Sequence, residues 1–268
     1  MRVRIVFRVK NRGGYVPFHH QHLLAQLIRE TIESEDNEFK SYNLFNFSGL
    51  KGQTKISRQG LHFYSSKVTL VISSFHEKFV QYLLGKLFQK DEIQIHQLWL
   101  IPELVEKESS PELGEEVKYV CISPLVLVNP ELDSYYAKKF VTPEADLFSD
   151  LMYEMTMSRM EESGYYSAEE IQSFFKFQIV PDQVYLKKIK KDDKKFARIY
   201  TITEGKTKYE LRGYTFPFVL YATSRVQEFV FQCGLGAYTH KGFGMLDLAN
   251  IDPVKRTEVY ELPSAQNY

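Results

Sequence analysis

His19, His20, His22 and Arg29 stand close together in a chain that has only seven histidines. Around them Leu23, Leu24, Leu27, Ile28 and Ile32 recur at helical spacing, so residues 19–33 are expected to form an amphipathic helix. On such a helix His22 and Arg29, seven residues apart, point within about 20° of one another and lie about 10 Å apart along the axis, opposite Leu24, Leu27 and Ile28. An imidazole moves protons and a guanidinium holds anionic charge, so the pair suits the two sides of one phosphate. His19 projects toward the same side. His20, if already helical, turns toward the apolar stripe and packs or caps. His19, His22 and Arg29 are the candidate catalytic residues, and each has a plain surface or capping role as its alternative.

Two further groups bear on phosphate chemistry. The segment CGLGAYTHKGFGML carries Gly234, Gly236, Gly242 and Gly244 around a short polar insert with His240 and Lys241. Glycines allow positive φ and close backbone approach, so such a loop can aim N–H groups at phosphate oxygens. The same glycines also fit a helix C-cap at Gly234 and a tight strand entry at Gly242. It is not a dinucleotide fingerprint, because that motif follows a strand and opens a helix. The run KKIKKDDKKFAR gathers Lys187, Lys188, Lys190, Lys191, Lys194, Lys195 and Arg198, either a dock for a polyanion or a solvated hairpin tip turning at Asp192 and Asp193. Lys51, in an acid-free segment, and His240 are further candidates for stabilising charge on a bound phosphate. His62, His76 and His96 fall within strand or helix patterns and read as structural.

The elements that must position these residues follow from periodicity. Arg2, Arg4 and Arg8 alternate with Val3, Ile5, Phe7 and Val9, a strand with one buried face and one cationic face. After the helix come extended runs at 42–47, 61–64 and 67–73, a helix over 75–88 and a strand over 93–101, giving the order β-α-β-β-α-β. Residues 102–116 are acidic, contain Pro102, Pro111 and Gly114, and read as the boundary between halves. A second cycle follows: a strand at 117–122, a helix at 143–162, long strands at 173–190 and 195–213 around the lysine-rich turn, a helix at 217–232 and a closing strand at 243–248. The expected fold is α+β, tandem ferredoxin-like, with domains 1–110 and 117–268.

Composition bounds the function classes. The chain has 268 residues, 44% hydrophobic and 25% charged, the proportions of a globular protein. Cys121 and Cys233 show no ligand spacing, no carboxylate group suggests a metal site, and no apolar run approaches the roughly 20 residues of a membrane span, so no metal, no cofactor and no membrane are expected, and a cytoplasmic protein is. Lys plus Arg and Asp plus Glu both number 34, yet residues 1–29 and 39–76 contain bases and no acids. The acids concentrate at 30–38, 103–116 and 131–170, which implies a basic and an acidic side.

The glycine segment GLGAYTHKGFGML at 234–246, with VPFHHQHLLAQLI at 16–28, ISPLVL at 122–127 and RGYTFPFVLYA at 212–222, resembles the CRISPR-associated repeat-RNA endoribonucleases of the Cas-six type, within the repeat-associated mysterious protein superfamily. The resemblance spans nearly the whole chain. It implies tandem ferredoxin-like domains and metal-independent cleavage of CRISPR repeat RNA in pre-crRNA, the 2′-hydroxyl attacking the neighbouring phosphate to leave a 2′,3′-cyclic phosphate and a 5′-hydroxyl. Other CRISPR effector subunits are the implied further partners. Lys187, Lys188, Lys190, Lys191, Gly234, Gly236, Lys241, Gly242 and Gly244 become the expected RNA contacts, with Tyr238 or Phe243 offered for base stacking. One departure stands out. The loop IESEDNEFKSYN at 32–43 has no histidine where the family often carries a catalytic one, and Arg29 takes a helix position commonly filled by Tyr. Either the acid and base come from nearby positions, or the chain is a non-cleaving repeat-RNA-binding subunit of an effector complex. A protein-interaction module using the acidic face is a third reading.

Overall fold

A computed structural model describes residues 1–127, 141–192, 197–204 and 207–262, with only the backbone of 202–204 and 207–209. The chain forms two compact units, one of Met1–Ser110, His240–Gly242 and the described residues from Asp252, the other of Pro111–Thr239 and Phe243–Ile251.

The first unit runs β1 (Arg2–Val9), β2 (Tyr15–Val16), α1 (Gln21–Glu33), β3 (Phe45–Phe47), β4 (Thr54–Ile56), β5 (Leu61–Phe63), β6 (Lys67–Ser74), α2 (Glu77–Phe88), β7 (Ile93–Ile95) and β8 (Leu98–Glu108). Its main sheet has the antiparallel order β8-β1-β6-β3. With α1 and α2 this is one β-α-β-β-α-β unit whose four strands lie in the order 4-1-3-2. Val3, Ile5 and Phe7 of β1 join Leu24 and Ile28 of α1 and Phe79, Leu83 and Leu87 of α2 in one core. Burying each such side chain is worth about 1.5–3 kcal/mol. His76 caps α2 by accepting the Phe79 N–H at 3.3 Å.

The second unit runs β9 (Glu116–Cys121), β10 (Leu125–Val126), α3 (Asp146–Glu162), α4 (Ala168–Ser173), β11 (Phe177–Pro181), α5 (Gln183–Lys191), β12 (Ala197–Glu204), β13 (Thr207–Tyr214), β14 (Phe218–Ala222), α6 (Ser224–Cys233) and β15 (Leu246–Leu248). Its sheet has the order β15-β9-β14-β11, again antiparallel and again 4-1-3-2. A smaller sheet, β10-β13-β12, is built from β10, which follows the first of these strands in the chain, and from the β12–β13 hairpin, which lies between the second and third. The chain then returns to the first unit, where β16 (Thr257–Val259) pairs with the outer edge of β8.

Four expectations are corrected. First, two of the three arginines on the cationic face of β1 are paired: Arg2 with the Glu108 carboxylate at 2.8 Å, and Arg4 lies 3.5 Å from Glu106 and 3.7 Å from Glu108. The register sets Arg2 opposite Glu108 and Arg4 opposite Glu106, so the acids expected in a linker are the partner strand. Second, β8 therefore continues well past 101, and Pro102 is accommodated because the β1–β8 register shifts between Val6 and Phe7. Third, residues 183–191 are a helix and no hairpin arm. Asp182 accepts the Tyr185 N–H at 3.0 Å as the N-cap, and Leu186 is buried while Lys188, Lys190 and Lys191 occupy the last turn, where cations suit the helix dipole. The hairpin is β12 with β13 instead, and Asp193, Lys194 and Lys195 lie outside the described residues, as do 131–140 of the acidic stretch. Fourth, 218–222 is strand β14 and the helix begins only at Ser224.

Candidate nucleic-acid interface

Two adjacent histidines meet opposite fates at the start of α1. His20 is buried, its Nε2 accepting the Leu50 N–H at 3.0 Å and its Nδ1 3.2 Å from the Pro17 carbonyl. A backbone N–H can only donate and a carbonyl only accept, so the ring is neutral with its proton on Nδ1. Burial, then the charges of His22 and His19, lower its pKa to about 4 against the opposing Pro17 bond. Both nitrogens are used in latching the 48–51 segment to α1. His22 is exposed, and its Nδ1 lies 2.7 Å from the His19 carbonyl, so in the neutral ring the lone pair is on Nε2. His19 is partly exposed in the turn before α1.

Arg29 lies exposed about two turns further along the same face, 3.6 Å from Glu33. It is also close enough to Lys241 that its charge, after burial, helps hold the lysine below the usual lysine range. Arg29 and the tip of the glycine segment thus lie near one another within the first unit. Gly242 makes this approach possible: its φ is +85°, and a Cβ there would lie 2.6 Å from the Phe47 ring of β3. Lys51 is exposed and its backbone bridges to Thr69.

The rest of the glycine segment belongs to the second unit and is held from within. Gly234, Gly236 and Gly244 are buried. The Gly244 N–H donates to the Pro124 carbonyl at 2.7 Å, the Ala237 N–H to Val126 at 2.9 Å and the Leu235 N–H to Gly244 at 2.9 Å. A Cβ on Gly236 would meet the Val126 carbonyl at 2.5 Å, and one on Gly244 the Leu235 carbonyl at 2.0 Å. Close packing explains these glycines, and the solvent-facing positions are Ala237, Tyr238, His240 and Lys241. Phe243 is 3% exposed and meets Tyr200 edge-on at 5.3 Å, so it is a core residue and no stacking platform. The motifs at 122–127, 212–222 and 234–246 converge here, since Val126 pairs with Gly213 and both Pro124 and Val126 accept from the glycine segment.

Arg159, absent from the sequence-based candidates, organises this segment. From α3 its guanidinium donates to the carbonyls of Cys233 at 2.7 Å, Gly234 at 2.8 Å and Gly236 at 3.4 Å, and to the Thr239 hydroxyl at 3.0 Å. It also lies over the Phe229 ring at 5.4 Å. No acid takes part in these bonds; its fork satisfies carbonyls that the glycine turns leave pointing inward. The signal in the sequence was an arginine three residues after Thr156 and seven after Met152, on the buried stripe of α3.

Lys187, Lys188, Lys190 and Lys191 are exposed on α5, with Lys190 2.7 Å from Glu144. Among the described residues no three His, Cys, Asp or Glu side chains group in a way that could hold a metal, and no helix is long and apolar enough to cross a membrane.

No similar protein was found among curated sequences. Solved structures share the fold. A Cas6-related protein from Pyrococcus furiosus superposes with a TM-score of 0.77 at 18% identity, covering 94% of this chain and 99% of that one. A RAMP protein described as binding different RNA substrates gives 0.76 at 20% identity, covering 93% and 100%. A Cas6 product complex gives 0.60 at 13% identity, covering 92% and 99%. The family model described as CRISPR associated protein Cas6, C-terminal, matches residues 106–248, and on that match, over more than half of its length, the chain belongs to the Cas6 family.

Proposed function

We propose that this protein binds CRISPR repeat RNA and cleaves it without a metal, in the cytoplasm, passing its product to other effector subunits. The observation that carries the reading is that Arg29, on the exposed face of α1 that also bears His22, lies near enough to Lys241 for its charge to act on the lysine. Two cations there suit a phosphate, and His22, on the same helix face as Arg29, offers a ring nitrogen for proton transfer. In the reaction His22 Nε2 takes the proton of the 2′-hydroxyl, O2′ forms a bond to phosphorus, and the P–O5′ bond breaks. His19 returns a proton to the leaving 5′-oxygen, giving the cyclic phosphate and a 5′-hydroxyl. Arg29 and Lys241 hold the non-bridging oxygens. The relatives support the reading through their names: one binds RNA substrates and another is a product complex.

A non-cleaving repeat-RNA binder is the second reading, favoured by the absence of histidine from 32–43 and by the loss of His20 to packing. Labelled repeat RNA incubated in EDTA decides. The nuclease yields a fragment ending in a cyclic phosphate, and His22→Ala slows it about 100-fold or more while leaving affinity within a few-fold. Tight binding with no fragment establishes the second reading, and no binding at all overturns both.

A further inference from the structure

The small sheet β2-β5-β4 carries a surface that the site on α1 does not use. Its inner face is core: Val16 and Phe63 are fully buried and Leu61 packs against them. Its outer face is a row of rings. The register sets Tyr15 opposite His62 and His62 opposite Lys55, so these three share one face, and Tyr64 continues it two residues beyond His62. Tyr15 stacks on His62 at 5.0 Å, and the Lys55 ammonium lies 5.0 Å over the Tyr64 ring. His62 is held at both nitrogens, 2.8 Å from the Ser57 hydroxyl and 3.0 Å from the Gly13 carbonyl, which sets the orientation of its ring. Gly13, with a φ of +85°, passes beside Tyr64 with no side chain to cover its ring.

The charge around the row has one sign. Arg12 lies on the loop carrying Gly13, Arg58 at the tip of the β4–β5 turn, and both are exposed. Glu92 and Glu103 of the same unit are engaged elsewhere, by Lys10 and by Lys67. Among the described residues Arg12, Lys55 and Arg58 form no ion pair. Tyr64, on this face, is 45% exposed, an aromatic ring left open to solvent. The turn joins the start of α1, since Gly60 sits against the Val16 carbonyl and Pro17.

We propose that Tyr15, His62 and Tyr64, with Arg12, Lys55 and Arg58, form a platform for unpaired RNA, its bases stacked on the rings and its phosphates on the three cations. Stacking on flat rings accepts any base and suits a single strand, whereas a duplex hides its bases. The proposal rests on the reading of the chain as an RNA binder and extends it from the α1 site to the β2-β5-β4 sheet. The test uses the full chain and a 12-nucleotide oligouridylate, with repeat RNA titrated in parallel. Arg12→Ala/Lys55→Ala/Arg58→Ala is expected to weaken oligouridylate binding at least tenfold and to reduce the slope of log affinity against log salt by about 2, at roughly 0.7 per phosphate. Tyr64→Ser is expected to weaken it about tenfold with the slope unchanged. Arg58→Glu, a single exposed change at the turn, repeats the charge test with least disturbance to folding. Wild-type affinity and slope in the triple variant, or wild-type protein that takes up repeat RNA but no oligouridylate, overturns the platform and leaves the RNA-binding reading standing. Failure of wild-type protein to bind repeat RNA would remove that reading itself.

Discussion

Arg159 holds four acceptors of the glycine segment with one side chain. Arg159→Met leaves buried carbonyls unpaired at about 1–3 kcal/mol each, and the segment is expected to loosen before the fold does. Amide hydrogen exchange should speed up at Leu235, Ala237 and Gly244 while the β9 and β14 amides keep their protection. Arg159→Lys restores the charge without the fork, so it should recover little of that protection; full recovery would show that charge alone matters. At His20 the consequence is a pH dependence. Its pKa falls from 6.5 to about 4 on folding, so the unfolded chain binds the extra proton. The neutral ring's contribution is therefore complete above pH 6.5 and is lost as pH falls from there to 4, a swing of about 3 kcal/mol. The stability gap between wild type and His20→Asn should accordingly be wide at pH 7 and narrow by pH 4.5 in denaturant melts. A gap constant with pH would mean that the ring is not held neutral.

Elements were legible where one period dominated. The α1 stripe and the alternation of β1 announced a helix and a strand, and the glycine spacing announced a loop of close approach. What failed was partnership. Nothing local in Arg2 and Arg4 says that Glu108 and Glu106 will stand opposite them, because that pairing spans about a hundred residues and is set by sheet register. Segment 183–191 failed for a different reason: its lysines masked the helical spacing of Tyr185, Leu186 and Ile189 behind an Asp cap. The site residues divide the same way. His22 and Arg29 share a face as helix geometry requires, but Lys241 reaches that face only through the tertiary path of the chain, and Arg159 looked like one more polar residue. The helical α5 also changes what its lysines can do. Lys187, Lys188 and Lys191 lie along one exposed rod and not around a turn, so they line up with one stretch of phosphates. Replacing the three with alanine is expected to lower repeat-RNA affinity and to cut the salt slope by about 2 to 3, at 0.7 to 0.9 per phosphate. An unchanged slope would place the RNA elsewhere.

Each unit repeats the strand order 4-1-3-2, but only the second closes on itself along the sequence. The first is completed by chain that arrives after the second has been built: β16 pairs with β8, the Tyr260 N–H donates to the Val105 carbonyl at 2.8 Å, and the Tyr260 hydroxyl accepts from Gln81 at 3.2 Å. Arg256 adds a third guanidinium beside Glu108, at 3.7 Å, next to Arg2 and Arg4. A carboxylate that deeply buried is stable only while its cations remain, and removing a partner from such a cluster costs about 3–5 kcal/mol. Ending the chain after Ile251 therefore removes an edge strand, the apolar cover of Tyr260 and Leu262, and one cation of the buried cluster together. The expected loss is on the order of 3 kcal/mol, a fall of roughly 6–12 °C in the unfolding midpoint for a chain of this size. Because these contacts belong to the first unit alone, hydrogen exchange should quicken in β8 and β1 while β9 and β14 stay protected. Arg256→Met isolates the ionic part: if it reproduces most of the loss, the buried cluster dominates, and if it is nearly silent, strand pairing and apolar cover do. Equal loosening of both units, or of neither, would show that the terminal strand does not complete the first one.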